Sequence, residues 1–298
     1  MKIAYIYRQL NERDFKVLLA IEKYMPRYEY VAVELIDRET RLPPNMLNYS
    51  LLKLNRLKLI KRRTGSYIGY CLTYLGYDCL ALRSLVERGV LAALGDKMGV
   101  GKESDVYEGL TPANDKVIVK FHRAGRTSFK HIKRVRTYAT ERPEYSWLLQ
   151  AKIAAEREYK VLDELYKVKA RVPKPIGRSR HVVVTEFIEG IELYRYKDAM
   201  DPLGMLKKIL ETIRKAYLHA GIVHGDLSEY NVMVQIVDDE EEPYIIDWPQ
   251  FVEKEHPSAN SLLERDVTYV IKFFKKRYGV DISREKALKY VKGELNEI

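Results

Sequence analysis

A chain of 298 residues, 46% hydrophobic and 32% charged, is long enough for two domains, or one bilobal domain with an appendage, each with its own core. No apolar run approaches the 18 or so residues of a membrane span and no leader pattern opens the chain, so neither membrane spanning nor secretion is indicated and a cytoplasmic protein is expected. The net charge of +10 is uneven, with 16 Lys and Arg against 9 Asp and Glu in residues 1–88 and 8 against 1 in residues 120–142, a pattern that favours a polyanionic partner such as nucleic acid. Cys71 and Cys79 are the two cysteines, without metal-ligand spacing, and read as reduced thiols.

In chain order, helical periodicity over Arg13–Tyr24 and Val31–Glu39 precedes Pro43-Pro44, which opens a third helix over Asn45–Leu57. Leu47, Leu51 and Leu54 share its inner face, and Tyr49, Lys53 and Arg56 the opposite one. Ile60–Arg63 and Tyr67–Cys71 around Thr64-Gly65 read as a hairpin. Three helices and a hairpin make a winged helix, whose third helix can enter a groove while Lys61, Arg62 and Arg63 grip phosphate. Many such domains bind only protein; here the charge favours nucleic acid. A further helix over Thr73–Arg88 ends at Gly89, which sets domain limits of 1–88 and 89–298.

Met98-Gly99-Val100-Gly101-Lys102-Glu103-Ser104-Asp105-Val106-Tyr107 is the next informative stretch. A Walker-type phosphate loop fails, because the places of its first glycine and of its Ser or Thr are held by Asp96 and Glu103. A kinase-type loop fits Gly99, Gly101 and Val106, with Ser104 where the third glycine would stand and a hydroxyl there to donate to phosphate. Val117-Ile118-Val119-Lys120 then reads as a buried strand ending in one cation, the pattern of a lysine that contacts the α- and β-phosphates. On a helix expected over Gln150–Lys167, Ala151, Ala154, Ala155, Leu162 and Leu165 share a face with Glu158 in its middle. A carboxylate on an apolar stripe requires a partner, and Lys120 is the best offered. Between the two lies a long basic connection, Phe121 through Trp147, in which Arg126, Lys130, Lys133, Arg134 and Arg136 with Phe129 and Tyr138 suit backbone contacts and stacking on unpaired RNA bases. Thr127 and Ser128 are candidate autophosphorylation sites.

His224-Gly225-Asp226-Leu227-Ser228-Glu229-Tyr230-Asn231 carries the Asp-x-x-x-x-Asn spacing of a kinase catalytic loop, with Asp226 as the residue that takes the proton of the attacking hydroxyl. Val232–Val237 and Tyr244–Ile246 read as antiparallel strands around the polar turn Asp238–Pro243. Asn231 and Asp247 are equally far from Asp239, so folding at that turn is expected to set an amide oxygen and a carboxylate on neighbouring strand ends. Such a sparse oxygen pair suits magnesium, which completes its shell with water and phosphate. His224 has no second ligand nearby and reads as structural.

Taken together, Gly-x-Gly-Lys-Glu-Ser-Asp-Val-Tyr at 99–107, His-Gly-Asp-Leu-Ser-Glu-Tyr-Asn at 224–231 and Ile-Asp-Trp-Pro-Gln at 246–250 resemble the Rio family of atypical protein kinases. Gly125–Phe129, His256-Pro257 and Arg265-Asp266 extend the match over essentially the whole chain, and it is similar to the second, winged-helix-bearing subfamily in its archaeal form. The resemblance implies an α+β fold: a winged helix followed by a bilobal kinase-like domain, with a small lobe of about 89–188 and a large lobe of about 189–298. It implies ATP and Mg2+ as cofactors, with Mn2+ able to substitute, autophosphorylation, and work on the pre-ribosomal small subunit and its rRNA, with assembly-factor or ribosomal proteins as further partners. By the same resemblance Ser104 and Lys120 contact phosphates, Glu158 pairs with Lys120, and Glu186 and Ile188 meet adenine through their backbone. Asp226 is catalytic, Asn231 and Asp247 hold the metal, and Asp247 is where the phosphoaspartate of an ATPase cycle would form. Departures from ordinary kinases are equally plain: Trp248-Pro249 stands where Phe-Gly is usual, and the 51 residues after Asp247 are too few for an activation segment and peptide-docking helices. Two other readings belong to different classes. One is an RNA-binding assembly scaffold in which ATP binding without turnover sets the conformation; the other is a small-molecule phosphotransferase, which shares the His-Gly-Asp stretch but lacks the winged helix.

Overall fold

A computed structural model describes residues 3–100, 103–124 and 143–298. The chain forms two compact units, one of Met1–Glu156 with Gly177–Val184, the other of Arg157–Ile176 with Thr185–Ile298.

The first unit opens with α1 (Ile3–Arg8), α2 (Glu12–Tyr24), β1 (Val31–Ala32), α3 (Val33–Thr40), α4 (Pro44–Arg56), β2 (Ile60–Arg63), β3 (Gly69–Leu72) and α5 (Tyr74–Glu87). This is the expected winged helix, with α1 added and Val31-Ala32 paired to β3 as a strand instead of opening a helix. Asn11 caps α2 by accepting from the Arg13 and Asp14 amides, while the Asp14 carboxylate accepts from the Asn11 amide at 3.0 Å, a reciprocal capping box. Leu18, Ile21, Ile36, Leu47, Leu51, Leu54 and Leu80 close one core beneath the sheet ordered β1-β3-β2. Gly76 is required by packing, because a Cβ there would lie 2.2 Å from the Leu59 carbonyl oxygen.

The same unit continues into a sheet ordered β4-β5-β6-β8-β7, formed by β4 (Ala93–Val100), β5 (Ser104–Leu110), β6 (Lys116–His122), β7 (Pro175–Ser179) and β8 (Val182–Glu186). The helix expected from Gln150 starts earlier: α6 runs Pro143–Lys167, with proline in the first turn where its missing N–H costs nothing. Leu148 in that early stretch joins the winged-helix core, which is why residues read as part of a linker are helical.

In the second unit, α7 (Pro202–Lys215), α8 (Ala259–Tyr278) and α9 (Arg284–Val291) bury a core that includes Leu206, Leu210, Leu263, Val267 and Phe274. The short strands β9 (Ile191–Glu192), β10 (Ile222–Val223) and β13 (Val252–Glu253) flank the hairpin of β11 (Val232–Val237) and β12 (Glu240–Ile245). Its register pairs Val232 with Ile245 and Val237 with Glu240, leaving a two-residue turn at Asp238-Asp239 with φ of 49° and 64°. Two left-handed residues are the requirement of a type I′ turn, whose twist matches the strands it joins. The acidic run read as a turn is therefore mostly strand. Glu241 accepts from the Met200 and Asp201 amides at 2.7 and 2.9 Å, and Glu242 binds Arg171 and Lys208 at 2.6 and 2.7 Å. Replacing Asp239 with glycine removes a Cβ from a left-handed site and is expected to raise stability by about 0.5 to 1 kcal/mol, measured by urea unfolding. After β13, the helices among the described residues are α8 and α9.

Candidate active site

The catalytic segment is held by backbone clamps on both sides of Asp226. Buried Asp266, on α8, accepts the Gly225 amide at 2.7 Å on Oδ2 and the Leu227 amide at 3.2 Å on Oδ1. Arg265, its neighbour, donates to the Gly225 carbonyl. Gly225 has φ of 80°, and a Cβ on it would sit 2.9 Å from the Gln250 carbonyl oxygen, so glycine alone fits. Asp226 is thereby exposed on a fixed backbone. Burial raises the Asp266 carboxyl to about 6 despite its two amide donors.

His224 ties this loop to the end of the hairpin. Its Nδ1 accepts the Asp226 amide at 3.2 Å and its Nε2 donates to the Ile246 carbonyl at 3.2 Å. Burial lowers its pKa, and the accepting Nδ1 defines the neutral Nε2–H form. The ring lies 4.6 Å from that of Trp248, which is buried and donates its indole N–H to the Ile245 carbonyl at 3.1 Å. Tryptophan at this position thus closes its own turn. The structural reading of His224 agrees with this geometry.

Asn231 and Asp247 leave the two ends of the hairpin, with one correction to the expected register. Asn231 stands opposite Ile246, whose amide donates to the Asn231 carbonyl at 2.8 Å; Asp247 is one residue further on. The two-residue turn shifts the midpoint of the hairpin by half a residue, and Asp247 compensates with a left-handed φ of 63° that turns the chain out of the strand direction. Asn231 Nδ2 donates to the Asp226 carbonyl at 2.8 Å, so the amide oxygen is the atom left to accept or coordinate. An amide oxygen and a carboxylate are hard donors, too few to hold a cation alone and suited to a magnesium ion that brings water and phosphate with it. Among the described residues no group of three or more His, Cys, Asp or Glu could hold a metal.

In the first unit, β4 and β5 form the glycine-loop hairpin, pairing Gly99 with Val106 and Val100 with Asp105. Among the described residues, a Cβ on Gly99 would meet nothing within 4 Å. Met98 is exposed, Glu103 and Ser104 lead into β5, and Lys120 on β6 pairs with Val106. Gly101 and Lys102 lie outside the described residues, as do Arg126, Lys130, Lys133 and Arg134.

In the second unit, Glu158 is 3% exposed on the inner face of α6, as its helical phase requires. The Glu186 amide donates to the Lys174 carbonyl at 2.9 Å, and its carboxylate accepts the Lys174 amide at 2.8 Å. The Gly190 amide donates to the Ile188 carbonyl at 3.0 Å. These bonds fix the backbone of the Glu186–Ile188 segment without using the Ile188 amide.

Of the nucleic-acid candidates on the winged helix, Tyr49 is 65% exposed and Arg56, Lys61, Arg62 and Arg63 are exposed with it. Lys53 is half-buried. Its ammonium lies 2.5 Å from the carboxylate of fully buried Asp14, which draws it inward. Helical phase alone could not show this, because Asp14 is reached from another helix. Arg63 pairs with Glu29 at 3.0 Å in an exposed contact.

A glycine loop leading to a strand lysine, a clamped Asp-x-x-x-x-Asn loop and an Asp at the end of the following hairpin define a phosphotransferase of the protein-kinase-like class. The comparisons with known proteins narrow this. Residues 105–287 match the RIO domain model and residues 7–88 the model for the Rio2 N-terminal domain. The RIO-type serine/threonine-protein kinase Rio2 of Methanocaldococcus jannaschii is 39% identical over 267 residues, covering 88% of this chain and 96% of the relative. Serine/threonine-protein kinase rio2 of Dictyostelium discoideum is 38% identical over 271 residues, but this chain spans only 51% of it. A crystal structure of the Rio2 kinase-ADP/Mg2+-phosphoaspartate complex from Chaetomium thermophilum superimposes with a TM-score of 0.84 at 30% identity, covering 96% of this chain and 88% of that one. The chain belongs to the Rio family of serine/threonine kinases, in its Rio2 branch.

Proposed function

We propose that this chain binds Mg-ATP and transfers the γ-phosphoryl group as an atypical serine/threonine kinase or an ATPase, and that in the cytoplasm it works on the maturing small ribosomal subunit. The observation that carries the chemical part is the fixed Asp226 backbone, whose carbonyl orients Asn231, beside the hairpin end that delivers Asp247. Asn231 Oδ1 and the Asp247 carboxylate would hold magnesium, which when bound neutralises phosphate charge. Ser104 and Lys120 meet the phosphates, and the Glu186 carbonyl and Ile188 amide meet adenine. Asp226 accepts the proton of a hydroxyl nucleophile. In the ATPase cycle an Asp247 oxygen forms the new bond to the γ-phosphorus as the bond to the ADP oxygen breaks, and water later releases phosphate; the phosphoaspartate of the Chaetomium relative supports this route. The ribosomal part is supported by family resemblance and by the exposed Tyr49, Arg56 and wing residues Lys61, Arg62 and Arg63.

Calorimetry with ATP and magnesium, followed by single-turnover assays with labelled ATP in the presence and absence of rRNA fragments, tests the proposal. Binding is expected to be magnesium-dependent and to fall about tenfold or more in Lys120→Met. Label retained on the chain or released as phosphate supports catalysis. ATP binding without turnover, even with RNA present, would replace the enzyme by a nucleotide-set scaffold, and loss of ATP on hydroxylated metabolites would favour a small-molecule phosphotransferase.

A further inference from the structure

Where α5 of the winged helix meets the glycine-loop sheet, within one compact unit, a set of buried charged groups lies among the buried apolar and aromatic side chains. Asp78 on α5 is buried and takes a two-pronged guanidinium contact from Arg123, with Nη1 at 2.6 Å from Oδ1 and Nη2 at 2.9 Å from Oδ2. His181, fully buried in the turn between β7 and β8, sets its Nε2 2.7 Å from the same Oδ1 and stacks on Tyr77. The third guanidinium nitrogen of Arg123, Nε, donates to Asp105 Oδ2 at 2.7 Å, and Lys97 of β4 reaches Asp105 Oδ1 at 2.6 Å. Burial opposes ionisation of Asp78, but Arg123 and His181 outweigh it and hold the carboxyl below the usual range. The Arg123 pKa is pushed above its usual value by Asp78 and Asp105 in the same way, against its own burial.

Ser104 sits in the middle of this arrangement. The Arg123 backbone amide donates to the Glu103 carbonyl at 2.7 Å while its side chain grips Asp105, so one residue holds the chain on both sides of Ser104. Ser104 pairs with His122 in the regular β5–β6 ladder, whereas the β4–β5 ladder on its other side is irregular. Its register slips between Leu94 and Lys97 and again between Lys97 and Gly99, next to the loop, and the Lys97–Asp105 pair spans that irregular stretch. Tyr74, also on α5, donates to the Ala124 carbonyl at 2.9 Å and fixes the chain just beyond Arg123. Buried ion pairs add little net stability compared with apolar packing, and their best-attested use is to specify one arrangement among several.

We infer that the Asp78–Arg123–Asp105 chain is a positioning device through which helix α5 of the winged helix sets where Ser104 is presented to the nucleotide phosphates. The inference rests on the proposed reading of Ser104 as a phosphate contact. It makes the winged helix a structural part of the nucleotide site, and Asp78, Arg123 and Asp105 positioning residues rather than catalytic ones.

The test uses the full chain, with Mg-ATP titrated by calorimetry, ATP turnover followed for KM and kcat, and amide hydrogen exchange read at residues 104–106. Asp105→Asn and Asp78→Asn are each expected to weaken Mg-ATP binding about tenfold, with KM rising in step, kcat kept within about twofold, and exchange at 104–106 accelerated. Glu87→Gln, on the exposed side of the same helix, is expected to match the unaltered chain. Mg-ATP affinity and exchange unchanged in Asp105→Asn would overturn the inference, and that variant decides alone if Asp78→Asn does not fold. Ser104→Ala separates the two levels. A weakened Ser104→Ala beside normal Asp78→Asn and Asp105→Asn sinks the positioning device only, whereas an unaffected Ser104→Ala sinks the phosphate contact and the device with it.

Discussion

Asp247→Asn is expected to lower phosphoryl transfer by about a hundredfold to a thousandfold while leaving the melting temperature nearly unchanged. Asparagine is the informative replacement. Asp247 has a left-handed φ of 63°, a conformation that asparagine tolerates as aspartate does and alanine does not, so the variant removes the charge without straining the hairpin end. If Asp247 is a magnesium ligand and the acceptor of the phosphoryl group, both uses fail together: calorimetry should show weaker magnesium dependence of ATP binding, and labelled ATP should leave no label at this position. Asp226→Asn is expected to separate from it, with magnesium-dependent ATP binding kept and transfer to a hydroxyl acceptor lost. An Asp247→Asn enzyme within about tenfold of the unaltered rate would remove Asp247 from the chemistry.

Local patterns in this chain carried the elements, and distant partners decided the exceptions. The inner face of α4 and the burial of Glu158 follow from helical phase alone, because each depends on residues three or four apart. The extent of the polar turn at 238–243 did not follow. Glu240, Glu241 and Glu242 look like loop residues by composition, yet they are strand because Lys208, Arg171 and the Met200 and Asp201 amides satisfy them from 30 or more positions away. The same cause turns the Lys53 ammonium inward on the face where helical phase puts it, because the buried carboxylate of Asp14 lies within reach. The start of α6 was readable in principle from Pro143, but the basic run before it hid the signal. Arg265-Asp266 stood out in the sequence only as a familiar pair; that Asp266 clamps two amides of the catalytic loop needs the packing of α8 against that loop. Asp78, Arg123, Asp105 and His181 are spread over more than 100 positions and share no local pattern.

Asp266 also provides the second large effect, because it links the pH dependence of folding to the geometry of catalysis. Its carboxyl is 1% exposed, and burial raises it from 3.8 to about 6. A group whose folded pKa is raised stabilises the fold most below its unfolded value and loses that contribution as pH rises through the folded value. The window is therefore from about pH 4 to about pH 6, and the size is about 3 kcal/mol. Asp266→Asn cannot ionise, and it turns an amide N–H2 toward one of the two backbone donors, leaving a buried N–H without an acceptor at a cost of about 1 to 3 kcal/mol. The variant is thus expected to be less stable than the unaltered chain at pH 4, with the gap closing as pH rises to 7, since only the unaltered chain bears the cost of burying the charge. Urea unfolding of both proteins across that range measures it. The rate is expected to fall as well. Releasing Gly225 or Leu227 lets the backbone around Asp226 shift, and a displacement of about 1 Å there costs up to about a hundredfold in kcat, with KM for ATP little changed. A stability gap independent of pH would mean that Asp266 titrates as in the unfolded chain, and an unchanged kcat would mean that the clamp does not set the position of Asp226.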